Sequence, residues 1–261
     1  MNVYSADERS PADERSPADA PSLREAWELH ASEWLAWTRR LGHDSFDRFH
    51  REQFVALLPP PGRLTIDVGC GEGRVTRMLK AAGHTVVGVD SSRTLIAAAR
   101  EAEPSIPVHL ADAAALPLGD GVADLVVAFM SMHDFDDLEG AVREVARVLA
   151  VDGRLCLAIV HPLNSAGRFR SRDSESPFVI EHSYLGAYRY SDQVERDGLT
   201  MTFHSCHRPL ERYTTALEDS GFVIEALREP GLPNDALRDA GDGRWQRVPL
   251  FLHLRARKGS C

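Results

Sequence analysis

Lysine is almost missing: the 261 residues contain only Lys80 and Lys258. No Gly-Lys-Ser/Thr occurs, so a Walker phosphate loop is excluded. Neither lysine follows a tyrosine by four positions, which removes the Tyr-x-x-x-Lys arrangement of short-chain oxidoreductases. Cysteine is sparse. Cys70, Cys156, Cys206 and Cys261 lie far apart without a CxxC pair, as expected of a reduced, cytoplasmic chain and not of a disulfide framework. No apolar run approaches the roughly 18 residues of a membrane span, and the polar, acidic start does not read as a signal peptide. Net positive charge is lacking too. The formal charge is −9, which argues against nucleic acid as a partner, because phosphate contacts demand a basic face.

What is present divides the chain. Residues 6–17 repeat ADERSP twice, and this charged, Pro-punctuated stretch within 1–20 cannot support a core, so disorder is expected. Residues 21–62 read as an N-terminal helical cap: Leu23, Trp27, His30, Trp34 and Trp37 recur at helical spacing, and a second helical stretch runs into Pro59-Pro60-Pro61. Over 63–160, short apolar runs (Leu64–Val68, Thr85–Val89, Val108–Leu110, Leu125–Phe129, Arg154–Val160) alternate with amphipathic segments. That rhythm predicts an α/β fold with a parallel sheet covered on both faces. Residues 161–207, rich in Arg, Ser, His and Tyr, show no clear period and read as an insertion or lid after the fifth strand. In 208–261 a helix over Leu210–Ser220 precedes two further strands, "FVIEAL" and "VPLFLHLRAR", expected to be neighbours at the sheet edge.

The first strand ends in "LTIDVGCGEGR", with Gly69, Gly71 and Gly73 in alternate positions. In such sheets ligands bind beyond the carboxyl ends of the strands. Asp90 closes the second strand 17 residues after Gly73, placed to accept both hydroxyls of a ribose. The dinucleotide fingerprint needs a third glycine where this chain has Arg74, so the expected ligand is a nucleoside without a pyrophosphate.

The succession "IDVGCGEG", "VVGVDSS", "LADAAALPLGDGVADLVVAFMSMHDFDD" and "VREVARVLAVDGRLCLAIV" resembles the motifs of class I S-adenosylmethionine-dependent methyltransferases of the small-molecule type. The resemblance covers about residues 64–160 and departs at "LAVDGR", where the family usually has Pro-Gly-Gly. It implies a Rossmann-like, seven-stranded, mostly parallel sheet whose last strand is antiparallel, with S-adenosyl-L-methionine as cofactor. It further implies that Asp67 and the Gly69–Gly73 loop border the methionine portion, and that Asp90 beside Ser91 takes the ribose. Asp112 and Ala113 would meet the adenine, Phe129 and Met130 would lie under the cofactor, and Trp37 would close over it from the cap. Trp34 is expected as part of a core stripe.

His133 follows the fourth strand and is the candidate general base; the alternative is a loop histidine that lines the pocket passively. His161, Tyr184, His204, His207 and Arg208 are candidate acceptor-pocket residues, with Arg208 able to pair a carboxylate or phosphate. No metal is expected, since His204-Ser205-Cys206-His207 has no second ligand cluster and the Asp-Asn pair of magnesium-dependent catechol enzymes is missing. The expected activity is methyl transfer to oxygen or nitrogen of a small organic acceptor, such as a biosynthetic intermediate. Carbon methylation or a non-methylating cyclase or binder on the same fold stays open. A nucleic-acid enzyme is disfavoured, because Met130-Ser131-Met132-His133 stands where DNA amino-methyltransferases carry Asn/Asp-Pro-Pro-Tyr, and no Pro-Cys is present. If Asp90 grips the ribose, Asp90→Ala weakens S-adenosylmethionine binding by about tenfold or more through lost charge-assisted hydrogen bonds. Unchanged affinity in a calorimetric titration contradicts that contact.

Overall fold

The computed structural model describes residues 21–237 and 239–259, so the ADERSP repeat lies outside the described residues. Its centre is the run of strands β1 (Thr65–Val68), β2 (Val86–Asp90), β3 (Val108–Leu110), β4 (Ala123–Phe129) and β5 (Leu149–Val160). These join in the order β3-β2-β1-β4-β5 and are parallel. After β5, the short strands β6 (Gly167–Phe169) and β7 (Phe178–Ile180) form one hairpin, and β8 (Tyr188–Arg196) and β9 (Leu199–His207) form another. The sheet is completed by β10 (Phe222–Arg228) and β11 (Phe251–Lys258). β11 pairs antiparallel with β5, while β10, at the edge, pairs antiparallel with β11 and so runs with the other five, giving seven strands.

Alternation along the strands explains the two-faced core. Ile66, Val68, Val126 and Ala128 point to one face, where they meet helices α6 (Leu138–Val148) and α8 (Leu210–Asp219) through Val142, Val145 and Leu217. Leu125 and Val127 point to the other. There they meet α4 (Arg74–Ala81) and α5 (Arg93–Ala102) through Val75, Leu79 and Ile96. Strands buried on both faces read as continuous apolar runs, which is the pattern the sequence shows.

The cap consists of α1 (Leu23–Leu29), α2 (Ala31–Thr38) and α3 (Arg51–Val55), the last preceded by a wide helical turn over Phe46–His50. Ser22 and Glu25 form a reciprocal capping box at the start of α1. Two further N–H groups of that end, from Leu23 and Arg24, donate to Asp136 at 2.9 and 3.2 Å, which ties the cap to the loop after β4. The segment 161–207 is more regular than its composition suggests. Arg196-Asp197-Gly198-Leu199 makes a two-residue hairpin turn with positive φ at Asp197 (50°) and Gly198 (75°). The β8–β9 hairpin then lies against the cap, with Val194 and Met201 packed on Trp37. Among the described residues no helix is long and apolar enough to cross a membrane.

Phe54 seats the cap on the sheet. It is fully buried, with its ring 5.0 Å from Phe129 and 5.4 Å from His253. Phe54→Ala should therefore cost ~3–5 kcal/mol in denaturant unfolding, and a loss below ~1 kcal/mol contradicts this packing.

Candidate functional site

The strand order reverses between β1 and β4, and at such a point the carboxyl ends of the strands leave a crevice. One large cavity opens there. Its lining joins the loop after β1 (Gly69, Cys70, Gly71, Glu72), the end of β2 (Asp90, Ser91), Asp112 and Ala113, and Phe129 and Met130 at the end of β4. The same cavity continues past His133 to Asn164, to Tyr190, Phe203 and Ser205 of the hairpin, and to Trp245 and Phe251.

The loop works because it has no side chains in its way. Gly69, Gly71 and Gly73 all take the left-handed conformation, with φ of 72°, 56° and 84°. A Cβ at Gly69 would stand 2.3 Å from that of Ser131, whereas one at Gly71 would meet only Trp34 Nε1, at 3.8 Å. Gly71 thus presents bare backbone to the cavity. Its N–H donates to Asp90 Oδ2 at 2.8 Å, and the N–H of Ser92 donates to Oδ1 at 2.8 Å. Burial, opposed by these hydrogen bonds and aided by the nearby Glu28 charge, raises the Asp90 carboxyl above its ordinary value. Asp67 is more deeply set. Its Oδ2 accepts from Thr76 Oγ1 at 2.6 Å, and burial, with the Asp90 charge adding to it, lifts its pKa to about 7. Asp112 is half-exposed beside Arg24, at 3.6 Å. Met130 holds φ = 53°, a strained state for a residue with a side chain, of the kind found at functional sites.

His133 is buried within the cavity wall, with Nε2 3.5 Å from Asp134 Oδ1 and Nδ1 without a partner among the described residues. Burial and the adjacent Arg208 guanidinium push its pKa down to about 3. The imidazole is therefore neutral and only weakly basic. Burial drives the Asp134 carboxyl the other way, well above its ordinary range, while Ser205 Oγ donates to it at 2.7 Å.

Several expected pocket residues lie elsewhere. Arg208 turns away from the cavity and donates to the carbonyls of His133 and Phe135, so it shapes the loop and offers no free cation to an acceptor. His161 caps helix α7 (Pro162–Ser165), accepting from Leu163 N–H at 3.0 Å, and its Nε2 lies 2.9 Å from Glu229. His207 is locked between Ser165 Oγ (2.7 Å) and the Tyr184 carbonyl (2.9 Å), and the Tyr184 hydroxyl accepts from Leu210 N–H. His204 sits on the opposite face of β9 from Phe203 and Ser205, 3.1 Å from His30 Nδ1. Strand alternation also puts His204 and His207 on opposite faces, so the pair cannot share an ion. Trp37 is buried against Val194, Met201 and the His43 ring, while Trp34 lines the cavity together with Trp27 and Trp245. Gly73 serves as the N-cap of α4 and is outside the lining.

The cavity also has a wall with no counterpart among the expected residues: Thr38, Asp44, Ser45 and Arg74. The Arg74 guanidinium lies 4.5 Å over the Phe46 ring and pairs with Asp44. Arg74 follows the third glycine directly and was the readable signal for this wall.

Fold and site together define a doubly wound α/β protein with a cavity at the point where its strand order reverses. A family model described as a methyltransferase domain matches residues 66–157. A protein of Mycobacterium tuberculosis named a probable S-adenosylmethionine-dependent methyltransferase is 34% identical over 182 residues, 69% of this chain and 57% of that protein. An S-adenosylmethionine-dependent methyltransferase from Mesorhizobium loti of known structure superposes with a TM-score of 0.65 at 26% identity, covering 78% of this chain and 95% of that one. The fold is shared as well by the [4+2]-cyclase SpnF, with a TM-score of 0.60 at 16% identity over 93% of this chain and 98% of that one. In sequence and in fold the chain is thus similar to class I S-adenosylmethionine-dependent methyltransferases, with the family match confined to residues 66–157. It spans 55–57% of the length of the first curated relatives it matches.

Because the Asp67 pKa is raised from 3.8 to about 7, its protonated form stabilises the folded state fully below about pH 3.8. That contribution is lost as pH rises through about 7. In the absence of ligand, the Tm of Asp67→Asn relative to the parent should climb across this window and then level off. A difference that stays constant with pH contradicts the buried, protonated carboxyl.

Proposed function

We propose that this chain transfers a methyl group from S-adenosyl-L-methionine to oxygen or nitrogen of a small organic acceptor. One observation carries the reading: a single cavity joins the bare loop at Gly71 and the carboxylate of Asp90 to a second compartment around His133, Phe203 and Phe251. The residues suit the donor. The missing Cβ of Gly71 leaves room at the loop, and Asp90 can hold ribose hydroxyls. Asp112 and the Ala113 backbone can meet the adenine, while Phe129 and Trp34 offer aromatic faces to a sulfonium. When bound, S-adenosylmethionine supplies a methyl group already activated for in-line displacement.

The chain's own task is then alignment and exclusion of water. His133 borders the acceptor side of the cavity as a neutral imidazole, with Nδ1 buried in the wall and Nε2 turned toward Asp134. Its low basicity suits a nucleophile that is a neutral amine or an acidic hydroxyl, and the same arrangement serves an enol methylated at carbon. The hairpin strands β8 and β9 supply Tyr190, Phe203 and Ser205 to the acceptor side, consistent with an enclosed small molecule.

Labelled methyl donor incubated with a cell extract should deliver its label to the small-molecule fraction. Label recovered in precipitated nucleic acid or protein contradicts the proposal. For an acceptor that turns over, kcat/KM should show no loss from His133 protonation between about pH 5 and about pH 8, because the imidazole stays neutral there. A midpoint near 6.5 that vanishes in His133→Asn contradicts the buried, neutral histidine.

A further inference from the structure

Behind the Ser45 wall lies a buried hydrogen-bonded chain that the transfer reaction does not use. Ser45 Oγ is 3.1 Å from His50 Nε2, and His50 Nδ1 is 2.9 Å from His253 Nε2. Ser45 lines the cavity, while His50 and His253 are sealed among Phe54, Phe129 and Phe251. His253 Nδ1, at the far end, is buried with no partner among the described residues. Burial holds both imidazoles below their ordinary value, so each carries one ring hydrogen.

That leaves two polarities. In the first, His50 Nδ1–H donates to His253 and Ser45 donates to His50. The hydrogen of His253 is then forced onto Nδ1, a buried N–H without an acceptor. In the second, His253 Nε2–H donates to His50 and His50 Nε2–H donates to Ser45. Only a lone pair is then orphaned at His253 Nδ1, and the Ser45 O–H is released toward the cavity. Orphaned buried N–H groups are rarer than under-satisfied acceptors, which selects the second polarity. Ser45 is thus fixed as a hydrogen-bond donor to a ligand oxygen.

The neighbours of Ser45 identify that oxygen. Arg74 brings a guanidinium whose buried Nε has no partner among the described residues, and Asp44 brings a carboxylate beside it, which accepts from Thr38 Oγ1 at 3.2 Å and from Phe46 N–H at 3.1 Å. Opposite charges side by side, with an added O–H donor, complement a zwitterion. We propose that Asp44, Ser45 and Arg74 clamp the amino-acid end of the methyl donor, Ser45 donating to its carboxylate with a direction set by His50 and His253. The inference rests on the reading of the cavity as a methyl-donor site.

The test compares S-adenosylhomocysteine with 5′-methylthioadenosine, which keeps the nucleoside and lacks the amino-acid end. In calorimetric titrations Ser45→Ala should weaken S-adenosylhomocysteine by about tenfold, as for a hydrogen bond to a charged group, and leave methylthioadenosine within about twofold. His253→Leu should weaken S-adenosylhomocysteine in the same selective way. His253→Gln, whose amide N–H can replace Nε2–H, should restore it. Nitrogen-15 NMR of the unmodified protein should show the ring hydrogen on Nε2 of both His50 and His253, a readout independent of any variant's folding. A hydrogen on His253 Nδ1, or equal loss of both nucleosides in Ser45→Ala, overturns the clamp while leaving the methyl-donor reading intact. Failure of the unmodified protein to bind either nucleoside overturns both.

Discussion

The site hangs on one hydrogen bond, from the N–H of Gly71 to the carboxylate of Asp90 at 2.8 Å. It links the loop after β1 to the end of β2, and it can form only if the backbone at Gly71 is left-handed, where a side chain is strained. With Gly69 crowded against Ser131, the loop has nowhere else to go. Asp90 is thereby held at the floor of the crevice, buried yet satisfied by two backbone donors. Adding the raised Asp67 carboxyl beneath it gives a pocket of acids whose charge the folded chain tolerates poorly by itself. A cationic ligand relieves that tension, which makes a sulfonium nucleoside a physically sensible occupant.

The opposite half of the cavity is built differently. Its walls come from the β8–β9 hairpin and from the stretch before β11, and the polar residues expected to join them are committed outside the lining. Arg208 is committed to backbone carbonyls, and His161 and His207 to neighbours in the insertion. What borders this half of the cavity is a neutral histidine among aromatic residues. The chemistry it can offer is orientation and weak hydrogen bonding, with little driving force for removing a proton.

Legibility in the sequence follows the range of the interactions. The strands and helices between Leu64 and Val160 announce themselves because burial on both faces is a local, repeated requirement on each apolar run. Asp90 and Asp112 are legible for a related reason: one closes β2 and the other follows β3 by two residues, at strand ends whose order is predictable. Trp34 and Trp37 are not, because three residues along a helix decide nothing about which one meets the cavity; the docking of Val194 and Met201 on Trp37 does. His161, His204 and His207 looked alike as histidines near strand ends, yet cap geometry and strand parity turn each aside. The Asp197–Gly198 turn carries a genuine hairpin signal, masked by flanks that are polar on one face and packed on the cap on the other. Ser45, His50 and His253 offer no local sign at all, since more than 200 residues separate the two histidines that touch.

The claim at the centre is that the three alternating glycines and Asp90 admit a sulfonium nucleoside and refuse a dinucleotide. Calorimetry of the unmodified chain against S-adenosylmethionine, S-adenosylhomocysteine and NAD tests it directly. Saturable binding of both sulfur nucleosides, with no heat from NAD, is the predicted result. Binding of NAD with neither sulfur nucleoside would contradict it.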